Sequence, residues 1–358
     1  MVLITNFSIP IKQLAKMIAP MSHGDLPAFP EGLPLAPIAR ISHNKLLQND
    51  PAEAEKVLEA CRTHGFFYLD LTDTDDGQTL LGESEDLLEL AYRAFDCPVE
   101  EKRNYALVKG VSLFGYKENG TVKLTDPEKR PDTTEFFNVS KDHMHGITES
   151  RTYPSAITDN RDLFKQFTRN AHETCMLVLT TLAKQLNLAP EAFANKNLFS
   201  EPSGDHCRLT HKFAHHSDKS AIGLPSHTDF GSITMLFNWL GGLQIQSHDP
   251  AKNKEWEYVK PVPGHAIINL GDAMVTFTNG LLKSGKHRVI PAPGEQVNVD
   301  RYSIVYFVRP HDSVLMEPLP EFTNLAAHLK VAGKFEPEGG KTLTAGEWMR
   351  QRSIQLGS

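Results

Sequence analysis

No stretch of this chain reaches the ~20 consecutive apolar residues that a membrane-crossing helix needs, which argues against a membrane protein. The opening run MVLITNFSIPIKQLAKMIAPM has no continuous apolar core followed by a small-residue cleavage site, so no signal peptide is expected. Cysteine is scarce: Cys61, Cys97, Cys175 and Cys207 lie far apart with no C-x-x-C pair. That excludes a zinc knuckle and a disulfide framework, and suits reduced thiols in a cytoplasmic protein. Basic clusters are also missing. The net charge is −7 and Lys and Arg are scattered, so no nucleic-acid footprint is expected. There is no internal repeat, no Gly-x-Ser-x-Gly elbow and no dinucleotide fingerprint. Gly340-Lys341-Thr342 looks like the end of a P-loop, but Phe335 stands where the first glycine should be. Nothing in the sequence speaks to oligomeric state.

What is present is an ordinary globular composition. The 358 residues are 40% hydrophobic and 23% charged, enough for one large domain or two. Residues 1–35 are proline-rich and aperiodic, an extended arm. Asn49-Asp50-Pro51 offers a helix start for Ala52–His64, Gly65 stops it, and Phe66–Leu69 reads as a short buried strand. Further helices are expected over about Thr79–Phe95 and Asp159–Leu186, from apolar residues at helical spacing. Between them, 109–142 is irregular, and a loop of that length is usually functional or mobile. After Leu198 the texture changes to short strands: Cys207–His215, Ser232–Asn238, Leu243–Ser247, Trp256–Val259, Ala266–Leu270, Met274–Phe277, His287–Ile290 and Tyr302–Val308. Eight short strands at this spacing suggest an antiparallel sandwich or barrel, and eight is the jelly-roll number. A last helix is expected near Ala345–Gln355.

The chemistry centres on Pro225-Ser226-His227-Thr228-Asp229-Phe230-Gly231. If this run is extended, His227 and Asp229 point to one face, two residues apart. A further histidine would complete a 2-His-1-carboxylate face, which suits non-haem Fe(II) and oxygen. His287, at a strand start, is the candidate. Arg301 and Ser303 share a strand face, and a guanidinium beside a hydroxyl fits a carboxylate. His211, His215 and His216 also cluster, but without a carboxylate partner in the pattern, so a second metal site is not expected.

In order, His-x-Asp, Gly-Gly-Leu-Gln-Ile (241–245), Asn-Leu-Gly-Asp (269–272), Thr-Asn-Gly (278–280), Lys-His-Arg-Val (286–289) and Arg-Tyr-Ser (301–303) resemble the Fe(II)/2-oxoglutarate-dependent dioxygenases. The likeness is to the branch that includes isopenicillin N synthase, and it covers nearly the whole chain. It implies an α+β fold: a double-stranded β-helix (jelly-roll) core over 201–310, a mostly helical N-terminal extension over 1–200, and a C-terminal tail and helix over 311–358, forming one compact unit. It implies iron ligation by His227, Asp229 and His287, and a grip on 2-oxoglutarate by Arg301 and Ser303. Asp272 would be structural, and Asn279-Gly280 a turn near the mouth. With O2, the reaction would couple decarboxylation of 2-oxoglutarate to oxidation of a C–H bond in a small organic molecule, plausible in secondary metabolism.

One departure stands out. Where the family usually carries Asn and Tyr after an Arg-Leu pair, this chain has Thr210 and Lys212 after Arg208-Leu209. These two should then face the cosubstrate. Substrate contacts are expected from Phe114, Tyr116, Lys123, Glu135 and Phe137 in the irregular segment, and from Phe307. Two alternatives stay open at this point: an oxidase of the same fold that needs no 2-oxoglutarate, and a non-catalytic small-molecule binding protein.

Overall fold

The computed structural model describes residues 26–108, 110–121, 128–214, 222–247, 250–252, 254–323 and 341–356. Twelve strands form two sheets among these residues. The N-terminal half gives β1 (Ala39–Ser42), β2 (Phe66–Asp70), β3 (Gly115–Lys117) and β4 (Thr134–Ser140). Next come β5 (His206–Lys212), β6 (Leu224–His227), β7 (Ile233–Asn238) and β8 (Leu243–Gln246). The last four are β9 (Trp256–Tyr258), β10 (His265–Leu270), β11 (His287–Val289) and β12 (Arg301–Val308). The major sheet runs β1-β2-β10-β7-β12-β5-β4-β3 and the minor sheet β6-β11-β8-β9. The minor sheet and the centre of the major one make the jelly roll. The N-terminal strands extend the major sheet at both edges, so that half is not only helical.

Three long helices cover the outer face of the major sheet. Pro51–Thr63 starts where expected, with the Asp50 carboxylate accepting from the Glu53 amide at 2.9 Å. Asp75–Phe95 begins four residues before the expected start, because the Thr74 hydroxyl caps Gly77 at 3.0 Å. Arg161–Gln185 packs beside both of these helices and on the sheet, with Phe167 edge-on to Phe237 and Tyr306. On β5 and β12, odd and even positions part company. Cys207, Leu209, Ile304 and Tyr306 are buried in the helix-covered core, while Arg208, Thr210, Arg301 and Ser303 turn to the minor sheet.

Two expectations need correction. Met274–Phe277 is not a strand but part of a helix, Asp272–Phe277. Every residue of it is buried, and a short apolar run buried all round cannot be told from a strand by periodicity. Strand β6 was not anticipated, since Leu224-Pro225-Ser226-His227 is short and contains proline. The last helix spans Ala345–Leu356. No helix among the described residues is long and apolar enough to cross a membrane. Lys123, His215, His216 and most of the N-terminal arm lie outside the described residues.

Candidate functional site

His227 ends β6 and is the direct cross-strand partner of His287 on β11. Their rings lie 4.3 Å apart, centroid to centroid. The expected geometry is wrong in one respect: Asp229 is not on the strand with His227 but in the turn between β6 and β7. That turn is fixed from behind. The Asp272 amide donates to the Asp229 carbonyl at 2.7 Å, and the Thr228 hydroxyl donates to the Asp272 carboxylate at 3.0 Å. Gly271 is needed here, since a Cβ would sit 2.1 Å from the Gly231 carbonyl oxygen.

Each imidazole is oriented by its Nδ1, which donates to the Pro225 carbonyl at 2.9 Å in His227 and to the Gly285 carbonyl at 3.1 Å in His287. Both Nε2 atoms therefore turn toward Asp229 Oδ1, at 3.7 and 3.8 Å. The other oxygen, Oδ2, accepts from the Thr234 hydroxyl at 2.9 Å and the Asn269 amide at 2.8 Å. Burial opposes the Asp229 charge, but His287, His227 and these two donors outweigh it and hold the carboxyl at about 2. One donor atom from each of the three residues lies within 4.8 Å of the others. Two imidazole nitrogens, neutral once a metal takes the place of their protons, and one anionic oxygen, each steered by its own hydrogen bond, fit a divalent iron with one side left open.

A cavity between the two sheets opens from this triad. At one end stand Arg301, Ser303 and Thr210, with Leu236, Leu243 and Val289 as apolar walls. Arg301 is 4% exposed and its Nε donates to the Gly241 carbonyl at 2.8 Å. Lys212 lies opposite Arg301 on the same sheet face, as its register requires, yet it does not line the cavity. Its stem packs over Gly223, where a Cβ would be 2.9 Å from the lysine Cδ, and its ammonium donates to the Phe213 carbonyl at 3.3 Å. Burial, then the neighbouring Arg301 charge, pulls this ammonium down to about 8.

Of the expected substrate contacts among the described residues, only Phe307 lines the cavity. Tyr116, Glu135 and Phe137 face the opposite way, into the helix-covered core. There the Glu135 carboxylate accepts from Tyr116 at 2.5 Å, Lys102 at 2.8 Å and His211 at 2.8 Å. His211 thus has carboxylate partners after all, Glu135 and Asp300. Phe114 packs edge-on to His143 and His206, away from the cavity. The segment 109–142, expected to be irregular, contains strands β3 and β4, and on β4 it is Thr134 and Phe136 that face the cavity. Sequence reasoning also missed Asn138 and Arg309 as wall residues, whereas alternation along β5 puts Arg208 on the same face as Thr210, and the structure agrees.

Comparison with known proteins agrees with this geometry. Residues 204–310 match the 2OG-Fe(II) oxygenase superfamily, and 33–159 match the N-terminal region of non-haem dioxygenases in morphine synthesis. A 2-oxoglutarate-dependent dioxygenase of Aspergillus fumigatus is 32% identical over 342 residues, covering 89% of this chain and 86% of that protein. Another, of Gibberella zeae, is 32% identical over 308 residues, covering 82% and 85%. Among solved structures, a full-length Neurospora crassa protein in complex with alpha-ketoglutarate superposes with a TM-score of 0.70 at 23% identity, over 91% of this chain and 98% of that one. The Arabidopsis thaliana dioxygenase for auxin oxidation, bound to 2-oxoglutarate, gives 0.63 at 21% identity, over 82% and 99%. The chain belongs to the 2OG-Fe(II) oxygenase superfamily, as a 2-oxoglutarate-dependent dioxygenase.

Proposed function

We propose that His227, Asp229 and His287 hold the Fe(II), that Arg301 and Ser303 with Thr210 grip the distal carboxylate of 2-oxoglutarate, and that the enzyme oxidises a C–H bond of a small organic molecule in the same cavity. The observation that carries this is the convergence of two Nε2 atoms on one oxygen of Asp229, while its other oxygen is held by Thr234 and Asn269. Bound iron with 2-oxoglutarate supplies the activation of O2, with succinate and CO2 as coproducts. The protein's own residues do the rest. The Pro225 and Gly285 carbonyls keep both imidazoles in the tautomer that presents Nε2. Arg301, buried but pulled down only to about 10 by that burial, stays cationic at neutral pH and sets the orientation of a dianion along β12. Leu236, Leu243 and Val289 keep water from the reacting end.

A small-molecule substrate suits the enclosed cavity, and the Neurospora crassa neighbour was also crystallised with thymine. A place in secondary-metabolite biosynthesis is in keeping with the fungal dioxygenases the chain resembles. Cytoplasmic residence fits four free cysteines, three of them buried. The assignment is tested by metal content and turnover. His227→Ala, Asp229→Ala and His287→Ala should each lose Fe(II) and activity while keeping the wild-type circular dichroism spectrum, because the sheets pack without the metal. Full turnover by any one of them would show that the ligands are elsewhere.

A further inference from the structure

Arg301 and Thr210 occupy one end of the inner face; the other end carries two more guanidiniums. Arg208 on β5 and Arg309, just past β12, both line the wall that runs from Asp229 away from Arg301. Arg309 is 6% exposed, and its Nε and Nη1 have no hydrogen-bond partner. Its plane lies on Phe230, with Cζ 3.9 Å from the ring centre. Arg208 is held between Phe136 and Phe307, at 4.1 and 4.8 Å, with its Nε on the Asn138 side-chain oxygen at 2.7 Å. Among the described residues no carboxylate forms an ion pair with either one.

Buried cations are ordinarily paired, since an unpaired one loses its hydration for nothing. Asp229 and Asp205 are the acids that reach Arg309 through space. Asp229 is committed to the metal in the reading above. Asp205 spends Oδ1 on the Arg309 backbone amide at 2.7 Å and Oδ2 on the Tyr306 hydroxyl at 3.4 Å. Burial, then Arg208, drags the Arg309 guanidinium down to about 9 against the pull of Asp229 and Asp205. Apart from the two arginines, the metal-site residues, Asn138 and Thr228, this wall is apolar, with Leu107, Leu113, Leu224 and Phe230 on it. We propose that the substrate is a small organic acid, its carboxylate bound by the Arg208 and Arg309 guanidiniums and its apolar body laid along Leu113, Leu224 and Phe230 beside the metal. This rests on the iron assignment above, which fixes where the reacting carbon must lie. A planar fork of donors at each arginine matches a carboxylate's two oxygens.

The test is calorimetric titration of enzyme loaded with Fe(II) and 2-oxoglutarate under nitrogen. The probes are phenylacetate, cinnamate and decanoate, each against its primary amide, with phenyl phosphate alongside. At least one acid should bind about tenfold or more tightly than its amide. Arg309→Met should erase that preference, and Arg309→Lys, which keeps charge but not the fork, should retain part of it. The proposal is overturned if no acid out-binds its amide, if phenyl phosphate binds tighter than every acid, or if the preference survives in both Arg309→Met and Arg208→Met. The wild-type comparison stands even if a variant does not fold. Failure of the wild-type enzyme to load Fe(II) and 2-oxoglutarate would instead overturn the iron assignment.

Discussion

Arg301 and Lys212 show how differently two cations on one sheet face can serve the same cosubstrate. Arg301 lines the cavity, so under the proposed function it would contact the bound dianion directly; Lys212, opposite it across the ladder and off the cavity wall, would act only through its field. Arg301→Ala should therefore raise the Michaelis constant for 2-oxoglutarate by roughly 10- to 150-fold, the usual loss for one charged hydrogen-bonding partner, with Fe(II) affinity nearly unchanged. Lys212 should reveal itself through pH. Its ammonium, lowered to about 8 by burial and by Arg301, is charged at neutrality and neutral in mild alkali. A bound dianion favours the charged form, so 2-oxoglutarate affinity should fall as pH rises above about 8. Steady-state kinetics between pH 7 and 9 would check this, and the fall should be absent in Lys212→Met. An identical pH profile in that variant would remove Lys212 from the account. Both residues were legible in the sequence because strand alternation fixes the face. Where the lysine's four-carbon stem would carry its charge was not, because Gly223, outside any motif, sets that.

At the scale of elements, β4 and β5 carry a buried polar knot on their helix side and the cavity wall on the other. Glu135 binds Lys102, Tyr116 and His211 at once, and Lys102 is 6% exposed. Glu135→Ala leaves Lys102 buried without its counter-charge, which should destabilise the fold by about 3–5 kcal/mol in urea unfolding. Metal loading of the folded fraction should stay intact, since the triad lies across the sheet. His211 adds a pH signature. Burial lowers its pKa, but the hydrogen bonds its ring donates to Asp300 and Glu135 win and raise it. Its contribution is complete below its unfolded value of about 6.5 and is lost as pH rises through the folded value. Glu135 and Asp300 are shifted down despite burial, so theirs is present above the ordinary carboxylate range and lost on acidification. The thermal midpoint should thus decline on the alkaline side of 6.5 in the wild type, and less so in His211→Asn. The sequence leaves Thr134-Glu135-Phe136-Phe137 inside an irregular segment, so neither strand β4 nor the parity that faces the metal was legible. A carboxylate amid aromatics reads as a ligand-binding group, whereas the core offers it three donors. Local pattern also fails at Asp272–Phe277, where burial on every side erases the period that separates helix from strand.

At the scale of the molecule, the halves of the chain build one sheet, with β1 to β4 hydrogen-bonded outside the jelly-roll strands. The C-terminal helix returns to the site, placing Trp348 edge-on to Phe230 at 6.0 Å. The triad could be read in advance because its residues carry their own spacing, His-x-Asp and a later histidine. Of the cationic wall, Arg208 was legible by alternation along β5, but Arg309 was not, because it follows the end of β12 and only its missing partner marks it. The central claim is that these surfaces serve an active 2-oxoglutarate dioxygenase centred on His227, Asp229 and His287. It is tested most directly by following CO2 from carboxyl-labelled 2-oxoglutarate, and succinate, with Fe(II) and O2. The wild-type enzyme should release both in equal amounts and only with the metal present, and Asp229→Ala should release neither. Substrate oxidation at full rate with 2-oxoglutarate omitted, or undiminished CO2 release by Asp229→Ala, would contradict it.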